Sequence, residues 1–150
     1  MDLVLSLLTS KALMVPIGAW LLTQAIKIAI ASVQAKQMKW SRFFTMGGMP
    51  SSHSTLVSAV ATTVAVVEGV DSPLFAVAVI FAGVVIHDAA GVRQTVSEQS
   101  VMLNRILDEL LKGKPAFEQR LRGLIGHSVL QVIAGTLLGI AFSLIALLVF

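Results

Sequence analysis

Two histidines, a cluster of serines and a scatter of cations are the residues of this chain whose types suit chemistry on an anion. The densest string is Gly47-Gly48-Met49-Pro50-Ser51-Ser52-His53-Ser54. Paired glycines let backbone amides come close to a ligand, proline stiffens the approach to a following helix, and serines cap that helix or donate hydrogen bonds. Amides exposed at a helix N-terminus favour an anion such as phosphate, and an imidazole placed there can pass a proton to a leaving oxygen. Taken alone, such a string is more often a plain turn and cap. Lys27, Lys36 and Arg42 precede or flank it, while Asp88, Arg93, His127 and Gln131 follow at long range. The absence of cysteine excludes disulfides, thiolate catalysis and Cys-ligated metal centres.

Composition dictates the scaffold that must hold these residues. With 56% hydrophobic and 13% charged residues and a mean hydropathy of +0.88, the chain has too little polar surface to cover itself in water. The expected class is all-α: a multi-pass transmembrane helical bundle of about four spanning helices plus an interfacial amphipathic helix, one domain over residues 1–150. The spans run from Ala12 to Val33, Ser54 to Val70, Pro73 to His87 and Ser128 to Phe150. The last has 23 residues without a charge, enough to cross roughly 30 Å of hydrocarbon. The second and third are short, so their ends are expected inside protein or headgroups. Gly69-Val70-Asp71-Ser72-Pro73 reads as the turn between them, with Asp71 or Ser72 as cap. Within the polar section Arg93 to Arg122, VMLNRILDELLKG carries apolar residues at helical spacing. It fits an interfacial helix or a solvated hairpin equally well. No basic segment precedes the first apolar run, and no cleaved signal peptide is expected. There is no internal repeat, low-complexity tract or linker.

A formal charge of +3 and a pI near 9.7 would suggest a nucleic-acid partner in a soluble protein. Here the cations follow membrane topology instead, and no nucleic acid is expected. Ten of the eleven Lys and Arg residues end or follow the first span or lie between the third and fourth, leaving Lys11 with Asp2, Glu68 and Asp71 on the other side. Loops rich in Lys and Arg stay cytoplasmic, so both termini are expected outside. His53 begins the second span, Asp88 and Arg93 end the third, His127 begins the fourth, and Lys27 lies late in the first. All are expected at one cytoplasmic face around one cavity. Ionisable residues at membrane depth are costly unless paired or used. Interfacial anchoring and snorkelling account for Lys36, Lys39, Arg120 or Arg122 just as readily.

The string Gly47 to Ser54, then Asp88-Ala89-Ala90-Gly91-Val92-Arg93, Leu103-Asn104, and Gly126-His127-Ser128 followed by Gln131 and Ala134-Gly135, carry a resemblance over nearly the whole chain. In them the sequence resembles the divergent branch of the type 2 phosphatidic acid phosphatase superfamily, related to the vanadium-dependent haloperoxidases. The resemblance implies His53 as the acid and His127 as the nucleophile that forms a phosphohistidine. It implies a phosphate clamp drawn from Lys27, Lys36, Arg42 and Arg93, assisted by Ser51, Ser52 and the Gly48 amide, with no metal or cofactor required. Some positions depart from the broader pattern. Ser52 stands where a glycine precedes the acid histidine, no Arg-Pro block follows the lysines, and Arg122 lies five rather than six residues before His127. Gln131 occupies the place of the orienting acid. An amide can accept a hydrogen bond from an imidazole at i, i+4 spacing but adds no charge to stabilise the imidazolium. Asp88 is a candidate for the missing carboxylate, or simply pairs with Arg93 or a lysine at its helix end.

Two function classes follow. One is a membrane phosphatase that hydrolyses phosphate from an isoprenoid or glycerolipid mono- or diphosphate. The other is a non-catalytic membrane protein that binds anionic lipid headgroups or a partner protein. Gly135-Thr136-Leu137-Leu138-Gly139 is a small-xxx-small pattern suited to close helix packing, including in a homo-oligomer. A channel or transporter fits less well, because four short spans leave little room for a pore and no paired half-helices are evident. The topology is testable directly in this cysteine-free chain. Lys114→Cys should be labelled by an impermeant maleimide only after the membrane is opened; labelling from outside reverses the orientation.

Overall fold

A computed structural model describes residues 2–36, 48–90, 99–106 and 129–149. His127, Arg42 and Arg93 lie outside the described residues, as does the second half of the expected amphipathic helix. The described residues contain six helices and no strand: α1 (Asp2–Thr9), α2 (Lys11–Ala35), α3 (Ser52–Val67), α4 (Pro73–Ala90), α5 (99–106) and α6 (Val129–Val149). The four expected spans correspond to α2, α3, α4 and α6, within a few residues at each end.

Local chemistry sets the boundaries. Ser10 takes an extended conformation between α1 and α2, and its carbonyl accepts the first α2 bonds from Leu13 and Met14. Pro16 sits early in α2, where a bilayer helix tolerates it. At the far end Lys36 adopts a left-handed φ of 51° and donates its N–H to the carbonyls of Ser32 and Val33, closing the helix. Between α3 and α4, Gly69 at φ 90° makes the reversal, which any Cβ would strain. Ser72 then caps α4: its Oγ accepts from the Phe75 amide at 3.2 Å and donates to the Gly69 carbonyl at 2.8 Å. Of the two expected caps, Ser72 is the one used.

The bundle is inside-out by the standard of a water-soluble protein. Its largest fully buried side chains are Thr23, Thr55, Thr63, Ser51, Ser54 and Ser143, whereas Ile80, Phe81, Leu137, Ile145 and Leu148 are among the many exposed apolar ones. Water would drive the opposite sorting, and lipid tails remove that drive. At 25 and 21 residues, α2 and α6 are roughly 37 and 32 Å long and match the thickness of a hydrocarbon core. The shorter α3 and α4 are apolar as well.

Helix α3 is the centre, packed against α2, α4 and α6. Its β-branched sequence is helical because only a helix satisfies its backbone within its own segment in hydrocarbon. On α2 the buried residues Val15, Ala19, Thr23 and Lys27 recur every fourth position, and on α6 so do Gly135, Gly139 and Ser143. Both glycines of the small-xxx-small pattern face α3. A Cβ at Gly135 would collide with the Ser51 carbonyl oxygen, and one at Gly139 with the Thr55 carbonyl oxygen and the Ser58 hydroxyl. Most hydroxyls bond their own helix, as Thr23 to Ala19 and Thr55 to Ser51, each at 2.9 Å. Two cross the α3–α6 contact: Ser58 Oγ donates to the Thr136 carbonyl at 3.1 Å, and Ser143 Oγ to that of Ala59 at 3.3 Å. Such bonds contribute only about 0.6 kcal/mol each in a bilayer, so backbone-to-backbone packing dominates.

Gly139→Leu should therefore lower the thermal unfolding midpoint in detergent, with an overpacking cost of about 1–3 kcal/mol. Gly83→Ala is the control, since a Cβ there meets nothing within 4 Å, and it should leave the midpoint unchanged or slightly raised. Equal losses in both variants would remove α3–α6 contact as the organising feature.

Candidate functional site

The site is built from three helix segments that the α3–α6 contact brings to one level. Ser51 is the N-cap of α3, with φ −71° and ψ 115°. Its Oγ accepts from the Ser54 amide at 3.4 Å and from the Ser54 hydroxyl at 3.0 Å. Its own amide donates to the Gln131 carbonyl at 3.0 Å, so the backbone at the start of α6 anchors the start of α3. Ser51 is completely buried. Its hydroxyl is spent on the cap, and its contribution to the site is one of position.

Ser52, the next residue, turns to α2. Lys27 Nζ donates to Ser52 Oγ at 2.9 Å, and both side chains are buried, at 5% and 8% exposed respectively. Lys27 is the only buried charged side chain among the described residues. A buried ammonium next to the positive end of a helix concentrates positive potential at one spot. The ammonium has three donors, and a serine hydroxyl that accepts from it still has its own proton to give. That arrangement suits an oxyanion. Half-buried His53 follows in the first turn of α3, with its Nδ1 enclosed by protein. Gly48 stands at φ 92° in the exposed approach to the helix, followed by exposed Met49, a cis peptide bond and buried Pro50.

Lys27, Ser51, Ser52 and His53 are thus brought together, with the Gln131 backbone against Ser51. The remaining candidates lie further out. Lys36 is exposed at the end of α2, nine residues beyond Lys27, roughly 13 Å along the helix. Asp88 is exposed in the last turn of α4 and has no hydrogen-bond or ion-pair partner among the described residues. The site is also recessed. Helix α2 continues eight residues past Lys27 to Ala35, so the α3 start lies roughly 12 Å below the α2 end. Sequence reasoning passed over Gln24, which lies three residues before Lys27 on the same face and is 6% exposed. An amide in an apolar run, one turn from a lysine, was the available signal.

A helical membrane protein with a buried lysine hydrogen-bonded to the start of a neighbouring helix is the class that this fold and site define. The profile of the Divergent PAP2 family matches residues 8–142, and the chain belongs to that family. It is also 34% identical over 152 residues to the uncharacterized membrane protein YuiD of Bacillus subtilis (strain 168), covering 94% of this chain and 96% of the relative. No solved structure matches the chain.

Lys27 gives the site a testable signature. Charge at this depth is costly, so Lys27→Met, which keeps the length of the side chain, should hold or raise the thermal midpoint while weakening vanadate or phosphate binding at least tenfold. A residue kept for folding would show the reverse: a lower midpoint with binding intact.

Proposed function

We propose that this chain is a membrane lipid phosphatase that removes phosphate from an isoprenoid or glycerolipid mono- or diphosphate at the cytoplasmic face. The single observation that carries this reading is the buried Lys27–Ser52 hydrogen bond of 2.9 Å at the start of α3, one residue before His53. A seat recessed below the end of α2 favours a phosphate whose lipid tail is already in the bilayer. Membership of a phosphatase-related family supports the same class of reaction. The topology proposed with it has four crossings, both termini outside, and the α3 start at the cytoplasmic side with the basic loops.

In the proposed reaction His127 attacks phosphorus, forming an N–P bond as the P–O bond to the lipid breaks. His53 gives its proton to the leaving oxygen. Water then attacks phosphorus, the N–P bond breaks, and His53 recovers a proton from that water. Lys27, Ser52 and the positive end of α3 offset charge on the phosphoryl oxygens, with Arg42, Arg93 and Lys36 as the outer clamp. Gln131, four residues after His127, orients its imidazole. The neutral amide at that position favours a second reading, a protein that binds anionic headgroups without turnover.

Phosphate release from prenyl phosphates by the purified chain, with and without EDTA, separates the two. His127→Ala should abolish turnover, whereas His53→Ala should be partly rescued by a substrate whose leaving group needs no proton. Gln131→Glu should preserve or raise turnover. Normal turnover in His127→Ala with loss in Asp88→Asn would replace the phosphohistidine route with a carboxylate-centred one.

A further inference from the structure

The end of the bundle opposite the phosphate seat carries a cavity that the proposed reaction does not use. Helices α2 and α6 are antiparallel: Gln131, early in α6, reaches the α3 start beside Lys27, late in α2, while Phe142, late in α6, packs on Gly18, early in α2. A Cβ at Gly18 would lie 3.1 Å from the Phe142 ring, so the glycine lets the ring sit against the helix. Beyond this contact, α1, α2 and α6 line a half-open cleft of about 530 Å³. The walls are Leu8, Met14, Val15, Phe142 and Ala146, with exposed Lys11 among them.

Chemistry narrows what fills this space. Water needs two to four polar partners to be held. The hydroxyl that the walls supply, from Thr9, already donates to the Leu5 and Ser6 carbonyls at 2.9 and 3.3 Å. The volume lies within the range of roughly 300–1,000 Å³ for a site that holds one small molecule. In a bilayer the apolar molecule at hand is an acyl chain. Moving a chain from lipid into an apolar cavity gains little, because tails and leucines are equally apolar. Selectivity must then come from Lys11, whose charge at the start of α2 favours a net anionic headgroup. We propose that this cavity holds one acyl chain of an anionic glycerophospholipid whose phosphate pairs with Lys11. The site is independent of the phosphatase reading, lying at the other end of the bundle.

The test uses the full chain in phosphatidylcholine vesicles doped with a phosphatidylglycerol carrying a photoreactive diazirine on its acyl chain. A phosphatidylcholine with the same labelled chain serves as comparison. Crosslinks should concentrate on peptides containing Met14 and Phe142, with about a fivefold preference for phosphatidylglycerol, the worth of one lysine near an anionic headgroup. Lys11→Gln, a change at an exposed position, should bring the two probes to equal yield without reducing either below the phosphatidylcholine level. Ala146→Phe, which fills the space, should cut labelling by both. Equal yields in the wild-type chain, or a preference that survives in Lys11→Gln, would overturn the headgroup assignment. Labelling spread evenly over all exposed helices, or Met14 crosslinked to a second copy of the chain in place of lipid, would overturn the cavity assignment.

Discussion

The direct approach of the α3 backbone to α6 is the contact on which the rest of the bundle depends. It exists because Gly135 and Gly139 present no Cβ to Ser51, Thr55 and Ala59. With the backbones in touch, the Ser51 amide reaches the Gln131 carbonyl. The first turn of α3 is thereby placed in height and rotation relative to α6. The same turn then meets Lys27 on α2 through Ser52. Two neighbouring serines do different work because successive residues of a helix start face different directions: one is consumed holding the turn, and the other faces the lysine.

The buried hydroxyls contribute little to holding the helices together, since most return to carbonyls of their own helix. Their effect is on the interior, which they line with small polar groups. In that setting Lys27 keeps one hydrogen bond and a polar neighbourhood near its ammonium, and the lipid-facing surfaces stay apolar. The polar surroundings of Lys27 and the apolar character of the bundle exterior are therefore two results of one sorting of residues.

The spans were legible in the sequence because hydrocarbon leaves a long apolar segment few alternatives to a helix, even the β-branched segment after Ser52. The turn at Gly69 and the cap at Ser72 were legible for local reasons, positive φ and a hydroxyl one residue before Pro73. Helix α1 was not anticipated: Asp2 to Thr9 runs into the first span with no change of composition, and only the extended backbone at Ser10 divides them. The small-xxx-small pattern announced close packing but not its partner, since pairing within the chain and between chains requires the same residues. The string from Gly47 to Ser54 announced a capped helix start without saying which serine would be spent on the cap. Lys27 was read within the first span and Lys36 beyond it, as clamp or interfacial anchor, and helical geometry separates them by roughly 13 Å.

The overhang of α2 beyond the α3 start also bears on the bilayer itself. At 16 and 18 residues, α3 and α4 are roughly 24 and 27 Å long against about 37 Å for α2. With the four crossings proposed above, the hydrophobic belt is narrow beside the α3–α4 hairpin and wide beside α2. A bilayer accommodates such mismatch by thinning against the short side, at a fraction of a kcal/mol per Å. Headgroups on that side are drawn inward toward the level of Lys27, so the dent in the membrane becomes part of the approach to the site. Thin bilayers would suit this protein better than thick, sterol-stiffened ones.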